Sequence, residues 1–336
     1  MKKYINKKAT LICLGLAAII TIISIIVPLI KPKNNKEEDY SKITLFTMND
    51  KTMTFDEAYF IAKERQAYFE QYYHTYYSAF SWDTIMEPGK TNEDIMLEQL
   101  FSYIQEVFVL SEYALANGMA LTDNENKAAL SEADSFMSNS SSKVLTATKA
   151  NADLANRIFT RIHLYNKATT EILKDKDLTI SLDDARVCTI GVATVSPEKF
   201  DSPERVANEI ADRVNNGDVI GGVAKTFDIA EEKTFIDKDS TLPKEFVDFC
   251  LSLKDDECKV LELDGTYYAV YCYLENDEVE TAAKKQFLLE EKKANYVTAF
   301  VEELIKEQPI SVNTEIWNTV NFDTPIYTKE DVVQYK

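Results

Sequence analysis

Histidine is nearly absent from this chain: 336 residues hold two, His74 and His163, each isolated on a stretch with helical spacing. A zinc site needs several imidazole or thiolate ligands at short, recurring spacings. The five cysteines, Cys13, Cys188, Cys250, Cys258 and Cys272, do not supply such spacings. No metal and no cofactor is therefore expected. The pattern G-x-S-x-G does not occur, which excludes a serine-nucleophile elbow. The one glycine pair, Gly221-Gly222, lacks the surrounding pattern of a phosphate-cradling loop. Carboxylates are plentiful without a distinctive acid–base pair. No solenoid-length repeat and no low-complexity tract is present.

Negative charge is missing from the first 36 residues, which carry seven Lys and no Asp or Glu. The rest carries 30 Lys and Arg against 56 Asp and Glu, a balance of −26 within a chain total of −19. A body so acidic repels phosphate backbones, so nucleic acid is excluded as a partner; a basic client or a cation-rich wall suits it better. Ala9–Ile30 is uncharged and long enough to span a bilayer as a helix. Lys2, Lys3, Lys7 and Lys8 precede it, which favours a cytoplasmic N-terminus. Lys31, Lys33 and Lys36 follow, so charge bias alone does not fix the orientation. The exit, Ile25-Ile26-Val27-Pro28-Leu29-Ile30-Lys31-Pro32, contains no small-x-small cleavage site. Leu11 and Ile12 stand before Cys13 where a lipoprotein signal needs small residues. The expectation is an uncleaved signal-anchor: a single-pass protein of the cell membrane, in contact with the bilayer through residues 9–30, with its bulk outside the cytoplasm. Disulfides are permitted there. Spacing leaves Cys188, Cys250, Cys258 and Cys272 open as disulfides or as free buried thiols.

After a polar tether over Lys31–Ser41 and a short strand near Ile43–Met48, long helices are predicted. The first begins at a capping box, Thr54-Phe55-Asp56-Glu57, and runs to about Ser78. The second spans Asn92–Ala116, with Leu97, Leu100, Phe101, Ile104, Phe108 and Leu115 on one stripe, and stops at Asn117-Gly118. A second capping box, Thr122-Asp123-Asn124-Glu125, opens a third, and Asn151–Leu173 is a fourth. From Leu178 the texture is mixed. Strands are predicted at Val187–Val195, Lys259–Leu263 and Thr266–Leu274, the last two joined by the hairpin signal Asp264-Gly265. Helices are predicted at Pro203–Asn216, Asp218–Phe227 and Leu242–Leu253, and a long helix at Val279–Lys306. An apolar helix face must be covered, so this last helix is expected to pack back on the early ones. The fold class is α+β.

Several local sequences follow the same order as in a known family. Ala114-Leu115-Ala116-Asn117-Gly118-Met119-Ala120-Leu121-Thr122-Asp123 resembles a helix end of the SurA/PrsA foldases. Ser181-Leu182-Asp183-Asp184-Ala185-Arg186 is similar to that family's lead-in to a parvulin-type isomerase domain. Asn216-Gly217-Asp218-Val219, Leu242-Pro243-Lys244-Glu245-Phe246, Leu253-Lys254 and Asp264-Gly265 match further parvulin positions. The resemblance covers roughly Thr52 to Val320. It implies a discontinuous helical chaperone domain interrupted by a parvulin-like module with a small antiparallel sheet. The boundaries are then 1–36 for the cytoplasmic stub, membrane helix and start of the tether, 37–180 for the first helical part, 181–278 for the module, and 279–336 for the helix and tail that complete the helical domain.

The parvulin histidines do not carry over. Thr189 stands at the first histidine position, in Arg186-Val187-Cys188-Thr189, and Tyr267 at the second, after Gly265-Thr266. Leu242 and Phe246 match the Met and Phe that line the family's proline pocket. A twisted prolyl amide needs a complementary pocket rather than a nucleophile, so an active peptidyl-prolyl isomerase stays open as an alternative. The fold of the resembled family would set the strands of Cys188 and Cys272 side by side, which implies a Cys188–Cys272 disulfide. In the first long helix Tyr68, Tyr72, Tyr76 and Phe80 make one ridge, and Phe69, Tyr73 and Tyr77 another. Tyr72, Tyr73, Tyr76 and Tyr77, with Leu242 and Phe246, are the expected contacts for unfolded or nascent secreted polypeptides. The function expected is a membrane-anchored extracytoplasmic chaperone or foldase with a degenerate parvulin-like domain; a non-catalytic envelope scaffold is the other alternative, and homodimerisation is left open.

Overall fold

The structure, a computed structural model, describes residues 39–77 and 80–333. The expected membrane span, 9–30, lies outside them. Among the described residues no helix is long and apolar enough to cross a membrane. Two compact units emerge: one takes the described residues up to Lys176 and from Lys293 onward, the other is Asp177–Lys292.

The first unit opens with strands β1 (Thr44–Met48) and β2 (Lys51–Thr54), paired antiparallel. Asn49 makes their tight turn at φ 54°, a left-handed conformation that asparagine tolerates better than most residues. Helices α1 (Phe55–Tyr76), α2 (Asn92–Ala116), α3 (Asp123–Asn139), the short α4 (Ser142–Ala147) and α5 (Ala152–Leu173) follow, with a small hairpin, β3 (Ile85–Glu87) and β4 (Lys90–Thr91), between α1 and α2. Thr122 and Glu125 close the expected capping box at α3, and Gly118, at φ 72°, ends α2. The capping box expected at α1 does not form. The Thr54 hydroxyl donates to Asp56 Oδ1 (2.5 Å) and at 3.5 Å to Glu57 Oε1, while the Glu57 amide is taken by Asp56 Oδ1 (2.9 Å) rather than by Thr54, and Arg161 holds the other Glu57 oxygen (2.9 Å). Leu115, placed by spacing on the inner stripe of α2, is half exposed because the stripe leaves the core in the last turn.

The core of this unit is built on Phe46, Met53, Phe55, Ile104, Phe108 and Ile158. Ion pairs, half-exposed at Arg157 and largely buried around Arg161, bind its helices together. Asp56 on α1 meets Arg157 on α5 (2.5 Å), while Arg161 on α5 holds Glu57 on α1 and Glu112 on α2, both at 2.9 Å. Deleting Arg161 leaves the buried Glu57 and Glu112 carboxylates short of a partner and costs about 3–5 kcal/mol.

In the second unit strand order is β6-β5-β8-β7, all antiparallel: β5 (Cys188–Val195), β6 (Glu231–Ile236), β7 (Cys258–Leu263) and β8 (Thr266–Leu274). Asp264 and Gly265 join β7 to β8 with φ 50° and 76°. Helices α7 (Pro203–Asn215) and α8 (Ile220–Thr226), preceded by a single turn, α6 (Leu182–Ala185), cover one sheet face through Val206, Ile210 and Ile220. Helix α9 (Lys244–Ser252) covers the other through Phe246, Val247 and Cys250. Helix α10 (Glu278–Glu307) has its first half, to Lys292, in this unit, and its second half in the helical unit, where Val297 and Val301 are buried. The chain then adds β9 (Ile310–Val312) beside β1, forming a sheet of order β2-β1-β9, and ends through α11 (Thr314–Trp317) and α12 (Lys329–Val333).

Candidate functional site

Helix spacing places side chains four apart above one another, and the last three turns of α1 fill those positions with aromatic rings. Phe69 and Tyr73 lie nearly parallel, with centroids 6.0 Å apart. Tyr73 stacks on Phe80 (4.5 Å, 4° between planes). Phe80 meets Trp82 edge-on at 4.8 Å, and Trp82 packs on Phe322 at 4.7 Å. This inner chain of rings ends in the core. The outer row is Tyr68, Tyr72 and Tyr76, at 6.4 and 5.0 Å between neighbours. Tyr72 joins the rows by meeting Tyr73 edge-on at 5.6 Å, and Tyr77 lies 5.4 Å from Tyr73. The four expected tyrosines therefore come together. Tyr72, Tyr73 and Tyr77 are half-buried, while Tyr76 is 70% exposed. Tyr68, 50% exposed, belongs with them. Beyond Trp82 the β3 hairpin shows Ile85 (72% exposed) and Met86 (50%).

A buried polar frame fixes these rings. Glu70 accepts four hydrogen bonds: from Trp82 Nε1 (2.9 Å), Gln66 Nε2 (2.8 Å), Ile326 N (2.7 Å) and Tyr327 N (2.8 Å). Lys63 Nζ donates to Asn321 O (2.5 Å) and to Gln66 Oε1 (2.9 Å), and Gln66 donates to Thr324 O (3.0 Å). Burial draws the Lys63 ammonium below its ordinary pKa. One face of α1 thus grips the backbone of the segment Asn321–Tyr327. Sequence reasoning missed this frame, because a polar residue on a helix is ordinarily taken as solvated. The available signal was the spacing of Lys63, Gln66 and Glu70, which puts them on one face.

In the mixed unit the four expected pocket residues do not converge. Alternation along β5 sets Thr189 on the side of Gly191 and Ala193, away from Cys188 and Ile190. Tyr267 packs on the same sheet face, against the cluster of α7 and α8. Thr189 pairs with Leu274, however, and Tyr267 with Val195. Those positions are six residues apart on β5, about 20 Å at strand rise. The Thr189 hydroxyl donates to Asp277 Oδ2 (2.7 Å), and Asp277 Oδ1 accepts the Val279 and Glu280 amides at the start of α10, each at 3.2 Å. The Thr189 bond, then those amides, hold the Asp277 carboxyl below its usual range. Leu242 and Phe246 pack against the opposite sheet face; Phe246 is buried, with its ring edge-on to Tyr268 at 5.4 Å.

Cys188, Cys250 and Cys272 share the cluster of Phe246, and Cys258 lies in the other. All four are buried and free. The Cys188–Cys272 bond implied by the family likeness is not formed: the register sets Cys272 opposite Ile190, and Cys188 opposite Ile236 on the other neighbouring strand. Burial raises the Cys188 thiol to about 11 and Cys258 and Cys272 to about 12, with Cys250 also raised, so thiolate chemistry is suppressed. His74 lies edge-on to Phe80, and His163 Nε2 is 3.1 Å from Glu132. Among the described residues no three His, Cys, Asp or Glu side chains are grouped as metal ligands.

No protein-family profile matches the chain, and no curated protein matches it. Solved structures similar to it include PrsA from Bacillus subtilis, at 15% identity over 68% of this chain and 89% of that one, with a TM-score of 0.23. The foldase protein PrsA from Streptococcus pneumoniae is similar at 13% identity, over 70% and 97%, with a TM-score of 0.25. Foldase protein PrsA from Lactococcus lactis is similar at 14% identity, over 82% and 97%, with a TM-score of 0.29.

Proposed function

We propose that this chain is an extracytoplasmic chaperone or foldase, held at the membrane by residues 9–30, in which a helical host carries a non-catalytic mixed module as guest. The observation that carries this reading is the tyrosine row of α1. A row of large rings, exposed outward and braced inward by Phe80, Trp82 and Glu70, is a rigid amphipathic grip. Tyrosine gives contact area at small entropic cost, and its hydroxyl tolerates varied partners. Such a surface suits unfolded segments of many sequences.

The isomerase alternative is disfavoured by the distance between Thr189 and Tyr267 and by the engagement of Thr189 with Asp277. Phe246, buried against Tyr268, acts as a core residue of the module. The test is aggregation of several unrelated denatured enzymes in the presence of the full chain in nanodiscs. Suppression across clients, weakened by Tyr68→Ala with Tyr76→Ala, is expected. Protection of a single client alone would instead fit an assembly scaffold, and no protection at all would refute the proposal.

A further inference from the structure

The tyrosine row does not stand alone at its end of the helical unit. Phe80 and Trp82 lead from Tyr73 to the start of α2, where the Trp82 carbonyl accepts the Glu93 amide (3.1 Å). Around Glu93 stand three more carboxylates: Asp323, Asp94 and Asp83 contribute to raising its pKa, after burial itself. Glu93 accepts the Phe322 amide at 2.6 Å and Asp94 is committed to the cap of α2; Asp83 and Asp323 are exposed, with the Lys63 ammonium acting on Glu93 and Asp323 from the buried side. One ring of the row already carries a cation of this chain. Arg65 lies over the Tyr68 ring with its guanidinium carbon 5.7 Å from the centroid. The face of an aromatic ring is its negative side, so a cation is the charge it attracts.

Rings and carboxylates thus have the same preference. We infer that the client segments gripped by Tyr68, Tyr72 and Tyr76 are cationic: extended stretches in which Lys and Arg alternate with aromatic or aliphatic residues, their apolar side chains on the rings and their charges towards Asp83 and Asp323. Acidic segments of equal hydrophobicity bind more weakly. This rests on the client-binding reading of the same surface and adds a selectivity to it. The −26 balance of residues 37–336 gives the same sign at longer range and hastens encounter with cations.

The test uses the full chain in nanodiscs of neutral lipid and two unstructured fluorescent peptides. They share their aromatic and aliphatic residues and differ only in bearing Lys and Arg or Asp and Glu. Fluorescence anisotropy is expected to show the cationic peptide binding about tenfold more tightly, a difference of about 1.4 kcal/mol. That advantage should fade as salt rises from about 0.05 M to about 0.5 M, since screening shortens the reach of exposed charge. Asp83→Asn with Asp323→Asn, checked for native circular dichroism, should shrink it several-fold; Tyr76→Ala should weaken both peptides alike. Equal binding of the two peptides, insensitive to salt, would overturn the cationic selectivity while leaving the client surface intact. Binding of neither peptide would overturn both.

Discussion

Replacing Glu70 by Gln tests whether the aromatic surface depends on the frame beneath it. In the native protein Glu70 Oε1 accepts from Trp82 Nε1 and Gln66 Nε2, and Oε2 accepts from the Ile326 and Tyr327 amides. Glu70 is 1% exposed. A glutamine keeps one acceptor oxygen and turns an NH2 group against the other pair of donors. Two donors then lose their partner, at about 1–3 kcal/mol each where water cannot reach. The Tyr327 amide is only part-buried and sits at the low end. A loss of about 3 kcal/mol follows, or about 6–12 °C in the melting temperature of a unit this size. The chain has two tryptophans, Trp82 and Trp317, both in the helical unit, so fluorescence reports its unfolding. Glu70→Gln should lower the urea midpoint and shift the native emission to the red as Trp82 loosens. An unchanged midpoint with unchanged emission would show that the frame contributes nothing, and the reasoning about a braced grip would fail with it.

Three further outcomes are expected. Glu106 is buried, with Thr298 Oγ1 donating to its Oε1 (2.9 Å) and no partner at Oε2; burial lifts its pKa from 4.5 to about 7. The folded state then binds the proton more tightly than the unfolded state. Stability of the helical unit should therefore fall as pH rises from about 4.5 to about 7, by on the order of 3 kcal/mol, and Glu106→Gln should flatten that slope. An identical slope in the variant would remove Glu106 as its origin. Intact mass should be the same with and without reductant, and Cys188, Cys250, Cys258 and Cys272 should resist alkylation at about pH 8 until denaturant is added; labelling of any of these four in the folded protein, distinguished from Cys13 by peptide mapping, would contradict the buried-thiol account. Thr189→Val should cost the mixed unit about 1–2 kcal/mol through the lost bond to Asp277, while prolyl-peptide isomerisation stays at its uncatalysed rate with either form. A rate enhancement abolished by Thr189→Val would restore the enzymatic alternative.

Elements marked by strong local chemistry were legible in the sequence. Asp264-Gly265 dictated the β7–β8 hairpin, Thr122 with Glu125 the start of α3, and Gly118 the end of α2. Four-residue spacing marked Tyr68, Tyr72 and Tyr76 as one row but wrongly added Phe80, which lies past the end of α1 and stacks on Tyr73 instead. Strand β6 was hidden: Glu231, Glu232 and Lys233 look like solvated loop, and an edge strand with only β5 beside it needs no apolar pattern. The grip of α1 on Asn321–Tyr327 was hidden because Lys63, Gln66 and Glu70 are satisfied by residues about 258 positions away. Motif likeness aligned Thr189 and Tyr267 with two histidines, but strand register decides distance, and register sets them at opposite ends of β5. The pattern of α10 likewise shows one amphipathic helix from Glu278 to Glu307 without showing that its halves join different units.

The most direct measurement is site-specific photo-crosslinking of the full chain, with a benzophenone side chain in place of Tyr76, against the same group in place of Leu130 on α3. Tyr76 should capture unfolded clients and release them once they fold, whereas Leu130, 38% exposed, should capture few. Equal capture at the two positions, or capture of folded and unfolded clients alike, would contradict a client surface on α1.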